Sequence, residues 1–133
     1  MKYYYSEEWT RKAREIAVAI GFSHVKADRI AVIVGQGSKT RRIVARVHAL
    51  PKAMQLGMNQ RYSFYTIELI EKHFSKESPD EKIRTIIHEL MHIPKSFGGG
   101  FRGHKGHITK DSVERLYRQY VAYKRHGENA KPL

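Results

Sequence analysis

The amino-acid sequence predicts an α+β fold in which helices flank a small sheet. Apolar residues recur at helical spacing near the N-terminus, β-branched and aromatic residues fill three segments in the middle of the chain, and two further helical patterns follow. The chain has 133 residues, of which 41% are hydrophobic, and this suits one domain over residues 1–133 with a single core.

The first helix is predicted to begin after Ser6. Serine is a preferred N-cap residue, and the negative charges of Glu7 and Glu8 would stabilise the first turn of a helix. Gly21 is typical of a helix C-terminus. The apolar positions at helical spacing between these ends are Trp9, Ala13, Ile16, Ala17 and Ile20.

Three strands are predicted next, over residues 30–34, 42–49 and 62–70, because these segments are apolar and rich in β-branched or aromatic residues. Residues 42–49 fit both a strand alternation and a helical spacing. The strand is favoured because Pro51 disfavours helix directly before it, and this proline is a good first residue for a short helix over 51–57.

Two helices are predicted in the C-terminal half. Ser78, Pro79 and Glu81 form a helix start with an N-cap, a proline in the first turn and a capping-box acid, and Pro94 should end this helix near Ile93. A glycine-rich segment over 98–103 separates it from the last helix, predicted from about Asp111 to Lys124.

Composition narrows the classes of function. The chain has no cysteine, so disulfides and thiolate metal sites are excluded and any metal must be held by His, Asp or Glu. No apolar run reaches the 18 or so residues of a membrane span, and the N-terminus lacks the apolar stretch of a signal peptide. We therefore expect an intracellular, cytoplasmic protein.

The formal net charge of +12 favours polyanionic partners, and DNA is the partner we expect if the charge is functional. The other interpretation is a charged, solvated surface. None of the basic clusters forms a recognisable nucleic-acid motif. These clusters are Lys39-Arg41-Arg42-Arg46, Arg102-Lys105-Lys110 and Arg115-Arg118-Lys124-Arg125.

The strongest functional signal is His88-Glu89-Leu90-Met91-His92, which matches the metal-binding pattern H-E-x-x-H. Residues four apart lie one turn above each other on a helix, so both imidazoles can reach one Zn²⁺ at about 2.0–2.1 Å. Glu89 is rotated by about 100° and can act as general base toward a water that the metal activates. The competing interpretation is a pair of surface histidines on an amphipathic helix.

A catalytic zinc site needs a third protein ligand. The candidates are His104, His107 and Glu114, because the glycines over 98–103 allow the chain to fold back toward the metal.

The sequence resembles the small SprT-like and phage-type metallopeptidases over roughly residues 40–120. The resemblance lies in residues 88–95 (HELMHIPK), 97–104 (FGGGFRGH), Val113-x-x-Leu116-Tyr117, and the earlier segments 49–52 and 65–68. It implies a minimal zincin-like fold, with an N-terminal helix packed on a sheet of about three strands, a metal-binding helix and a C-terminal helix.

The resemblance also assigns the third ligand to His104. SprT-like proteins place a glycine after that histidine, whereas this chain has Lys105, which keeps His107 as the second choice; Glu114, the counterpart of the gluzincin ligand, ranks third. The strand before the metal helix, residues 62–69, is implied to line the cleft, either as an edge that pairs with an extended peptide or as an ordinary sheet member.

The sequence therefore predicts a zinc-dependent metallopeptidase with one Zn²⁺ held by His88, His92 and His104. Arg102, His107 and Tyr117 are the candidates for stabilising the oxyanion. The expected substrates are proteins or peptides, including proteins associated with nucleic acid, as in the SprT-like group. The alternatives are a non-catalytic, zinc-stabilised nucleic-acid-binding module and a hydrolase acting on other bonds.

Overall fold

The computed structural model describes residues 1–103 and 107–129 and confirms the α+β class. Its helices are α1 (Glu7–Ala19), α2 (Lys52–Gly57), α3 (Glu71–Phe74), α4 (Pro79–Leu90) and α5 (Lys110–Asn129). Its strands are β1 (Lys2–Tyr5), β2 (Ile30–Gln36), β3 (Ala45–Ala49) and β4 (Tyr65–Ile70), and a 3₁₀ turn at Ala27–Arg29 precedes β2.

The sheet has four strands in the order β1-β2-β4-β3, so it contains one strand more than the sequence predicts. β1 pairs antiparallel with β2, β2 pairs parallel with β4, and β3 pairs antiparallel with β4. All four residues of β1 are exposed, so this strand lacks the alternation of apolar and polar residues that reveals a half-buried strand in sequence.

The strand order decides between the two interpretations of the strand before the metal helix: it is an ordinary sheet member and not an edge that pairs with a peptide. β4, the strand that precedes the metal helix, has β2 on one side and β3 on the other, so its backbone is paired along both edges. The strand at this end of the sheet is β3, which pairs with β4 alone among the described residues. Of these two strands, only β3 has an edge that is left unpaired within residues 1–103 and 107–129.

One face of the sheet carries the core. Tyr65, Ile67 and Leu69 alternate along β4 and are at most 1% exposed, and the apolar sides of α1 and α4 pack in the same cluster. The predicted start of α1 is confirmed, since the Ser6 side chain accepts a hydrogen bond from the Trp9 amide. Gly21 has a φ of +73°, a left-handed conformation suited to glycine just beyond a helix.

The metal-motif helix begins as predicted, with Ser78 as N-cap and Pro79 in the first turn, but it ends at Leu90 and not near Ile93. Its last turn tightens, because the amides of His92 and Ile93 donate to the carbonyls three residues earlier at 3.1 Å. The short α3 and the 3₁₀ turn have no counterpart in the sequence prediction. No helix within residues 1–103 and 107–129 is long and apolar enough to span a membrane.

Candidate metal centre

The C-terminal end of α4 brings His88, Glu89 and His92 together. One ligand atom from each residue lies within 4.8 Å of the other two, and the two imidazole centroids are 5.2 Å apart at an interplanar angle of 67°. Glu89 is buried, and both histidines are partly buried. The tight turn after Leu90 keeps His92 next to His88 although the α-helix has ended. This is a donor set of two imidazoles and one carboxylate that fits a divalent cation.

The main chain of Arg102 fixes the orientation of the His92 ring. The His92 Nδ1 atom lies 2.7 Å from the Arg102 carbonyl, to which it can only donate, and the Arg102 amide donates to the His92 carbonyl at 2.7 Å. The proton therefore sits on Nδ1, and the lone pair that would ligate a metal is on Nε2. Hydrogen bonds of this kind from outside the ligand set fix the tautomer and ring direction of metal-binding histidines.

Glu89 is only 6% exposed, and burial raises its pKa from the usual 4.5 to about 8. In the metal-free protein the carboxyl group therefore holds a proton at neutral pH. A divalent cation beside it would favour the carboxylate, because an opposite charge within a few ångströms lowers the pKa of an acid. Glu89 is thus a group whose protonation state depends on the metal.

A cleft of ≈ 700 Å³ opens beside the cluster, between the start of β3, α4 and the start of α5. Val44, Ala45, Ile108 and Val113 form apolar parts of its wall, and His88 and Glu89 lie at its edge. A second groove of ≈ 340 Å³ follows β3 past His92 and Phe101. The two depressions share His88, Glu89 and Ala45, so together they form a track along β3 past the candidate metal centre.

The structure treats the three candidates for the third ligand differently. His104 lies outside the described residues, so its prediction stands untested. Neither His107 nor Glu114 belongs to the cluster of close ligand atoms. The Glu114 carboxylate binds the Arg84 guanidinium at 2.8 and 3.3 Å, and these hydrogen bonds lower the pKa of Glu114.

The oxyanion candidates are likewise scattered. The Tyr117 hydroxyl donates to Asp80 at 2.7 Å, at the start of α4 and roughly 12 Å along the helix from His88. The structure therefore does not bring Tyr117 to the cluster. Arg102 reaches the site through its main chain, and the Nε2 atom of His107 is buried without a hydrogen-bond partner among the described residues.

Sequence analysis missed Glu68, which anchors the strand beside the cleft. This carboxylate is 1% exposed on β4 and lies 2.7 Å from the His48 Nε2 atom and 3.3 Å from the Arg46 Nε atom, both on β3. Buried acids in otherwise apolar strands are rare unless paired. The signal was therefore present in the sequence as the lone acid of Tyr65–Ile70.

Comparison with known protein families agrees with this geometry. Residues 1–129 match the family described as "Putative phage metallopeptidase". The chain belongs to this family. Comparisons with curated proteins and with solved structures found no match.

Membership in the phage metallopeptidase family, together with the His-Glu-His cluster, supports a metal site and a peptidase type of chemistry. The match covers α1, the sheet and α5 as well as the motif, so it concerns nearly the whole chain. The closer resemblance to SprT-like proteins is not tested by this match and stays a prediction.

Proposed function

We propose that this protein is a zinc-dependent peptidase in which His88, His92 and His104 hold one Zn²⁺ and Glu89 is the general base. The observation that carries the proposal is the His-Glu-His cluster at a cleft in a chain of the phage metallopeptidase family. The role of His104 rests on the sequence resemblance alone.

The residues present fit a transition-metal ion such as zinc better than Mg²⁺ or Ca²⁺. Imidazole suits Zn²⁺, Cu²⁺, Fe²⁺ and Ni²⁺, whereas Mg²⁺ and Ca²⁺ prefer oxygen ligands. Three histidines with one open position are a ligand set of catalytic zinc sites. Glu89 would then flank the metal without ligating it.

When bound, the ion supplies Lewis acidity, which lowers the pKa of water toward roughly 7 and polarises a carbonyl group. Glu89 then accepts a proton from the attacking water and passes it to the leaving amine. Glu89 is 6% exposed at the edge of the cleft, and the Arg102 carbonyl holds His92 in a single ring orientation. Arg102 and His107 remain our candidates for the oxyanion donor.

The free edge of β3 is the proposed binding surface for an extended substrate. The Val44 carbonyl accepts from the Ile70 amide and the Leu50 amide donates to the Phe64 carbonyl, so both flanking residues face inward. Hydrogen bonding alternates along an antiparallel pair. The amides and carbonyls of the odd-numbered residues Ala45, Val47 and Ala49 therefore face away from β4, where a peptide can pair with them.

The substrate class proposed here is protein, including protein bound to nucleic acid. The net charge of +12 supports the nucleic-acid part, because a strongly positive enzyme is concentrated near polyanions.

The test compares wild type with Glu89→Gln after each has been loaded with zinc. We expect about one zinc per chain by mass spectrometry in both proteins. Hydrolysis of a fluorogenic peptide mixture should fall by a factor of about 10² or more in the variant, which lacks the general base. Glu8→Gln, at an exposed position of α1 that does not line the cleft, is the matched control and should retain activity. Full zinc-dependent hydrolysis by Glu89→Gln would refute the assignment.

A further inference from the structure

The positive charge of this protein is unevenly distributed. Residues 29–67 and 90–110 contain none of the 13 acidic residues, although they carry many of the 25 Lys and Arg residues. Residue contacts join the two stretches in space: the Ser63 amide donates to the Phe97 carbonyl, and the Tyr65 hydroxyl donates to the Gly100 carbonyl. The two acid-free stretches therefore meet on one side of the molecule.

A basic cluster lies on this side, behind His92, and consists of His24, Lys26, Arg61, Lys95 and Arg102. The His24 ring is partly buried, which lowers its pKa, and the charges of Arg102, Lys95 and Lys26 lower it further. None of the ion pairs within residues 1–103 and 107–129 involves the four cations of the cluster. Asp28, the nearest acid in sequence, is exposed and forms no ion pair in that part of the chain.

Aromatic rings are interleaved with these cations. The Lys26 Nζ atom lies 4.9 Å from the centroid of the Tyr62 ring, and the Arg61 guanidinium lies 5.3 Å from it. The Phe22 and His24 rings are stacked at a tilt with their centroids 5.0 Å apart. Tyr62 and Phe22 are each partly exposed, so bases could stack on their rings beside the cations.

We propose that the basic cluster binds the phosphodiester backbone of a nucleic acid. Four cations with no carboxylate partner in the described part of the chain form a surface that attracts phosphates, and the interleaved rings suit the bases between them. An acidic polypeptide is the competing partner, but the cluster has no strand edge on which a peptide could be held. Its residues lie in loops and turns, and the free edge near the cleft belongs to β3.

The site combines residues that are far apart in sequence, and Arg102 is the one member that the sequence clusters contain. Arg102 also contacts His92 through its main chain, so the nucleic acid would lie directly behind the candidate metal centre. The proposal does not depend on hydrolysis, because binding is measurable in a protein that cleaves nothing.

The number of phosphate contacts determines how strongly the affinity for nucleic acid should depend on salt concentration. Four phosphate contacts predict a slope of about −2.8 for single strands and about −3.6 for duplex in a plot of log affinity against log salt concentration. Each contact removed should reduce the slope by about 0.7 to 0.9. Two removed contacts should therefore weaken binding by about tenfold or more at roughly 50 mM salt.

The experiment measures fluorescence anisotropy of a labelled DNA oligonucleotide, its duplex and a polyglutamate peptide, with the full chain carrying Glu89→Gln. The test variant adds Lys26→Gln with Lys95→Gln, and the matched control adds Lys72→Gln with Lys76→Gln, which are exposed near α3. Both variants lose two positive charges, so they differ only in where on the molecule these charges are removed. Circular dichroism confirms that each is folded.

We expect the test variant to lose affinity and salt dependence by the amounts given above, while the control changes by less than about twofold. Preference for the single strand would indicate stacking on Tyr62 or Phe22, and equal binding of duplex would indicate contacts to the backbone alone; either result supports the site. Equal losses in both variants, polyglutamate binding as tight as DNA binding, or no DNA binding at low salt would overturn it.

Discussion

Replacing Glu89 by glutamine should stabilise the metal-free protein, and increasingly so as the pH rises. Burial raises the pKa of Glu89 from 4.5 to about 8 in the folded protein. In the unfolded chain the same carboxyl group has the usual pKa of 4.5. Between these values the folded protein keeps a proton that the unfolded chain releases, so the free energy of unfolding falls as the pH rises through this window. Glutamine has no proton to release and removes this dependence.

The size of the effect follows from the two pKa values. One pKa unit corresponds to about 1.36 kcal/mol, so the stability difference between Glu89→Gln and wild type should grow by about 3–4 kcal/mol between pH 5 and pH 8. Urea unfolding at both pH values, followed by circular dichroism with a chelator present, measures this difference. The Glu8→Gln variant, at an exposed position of α1, should show no comparable growth. If the stability difference between Glu89→Gln and wild type were the same at pH 5 and pH 8, the reasoning would be refuted.

Three further predictions address the ligand set, the substrate edge and the core. His104→Ala should lower zinc content to near zero while His107→Ala retains about one zinc per chain, as measured by mass spectrometry; the reverse result would exchange their roles. Val47→Pro removes an outward amide of β3, so it should reduce kcat/KM at least about tenfold, whereas Val47→Ala should lose less; equal losses would argue against peptide pairing. Ile87 is fully buried, so Ile87→Ala should lower the free energy of unfolding by about 2–5 kcal/mol, and Val18→Ala, at an exposed site, should change it little.

Local signals allowed the longer helices α1, α4 and α5 to be predicted, because caps and apolar spacing act within a few residues. Ser6 and Ser78 both cap helices through hydrogen bonds to amides three residues later, and these patterns are visible in the sequence. The motif His88 to His92 is equally local, since one helical turn is enough to bring the imidazoles together.

Features that depend on distant pairing were not predictable in the same way. β1 is held by antiparallel pairing with β2, more than 25 residues later in the chain, and its exposed side chains give no sign of this. β3 lies at an edge of the sheet because of the strand order. This order cannot be read from any single segment of the sequence. The basic cluster likewise arises only when loops from separate parts of the chain meet.

The open flank of β3 has a consequence for how the protein behaves at high concentration. A strand that can accept a peptide can also accept the same strand of another copy, which is a common start of aggregation. Arg41 and Arg42 are exposed just ahead of β3, so two copies meeting along this flank bring like charges together. At about 1 M salt the screening length shrinks to roughly 3 Å and this repulsion is largely lost. Concentrated solutions should therefore be kept at low ionic strength.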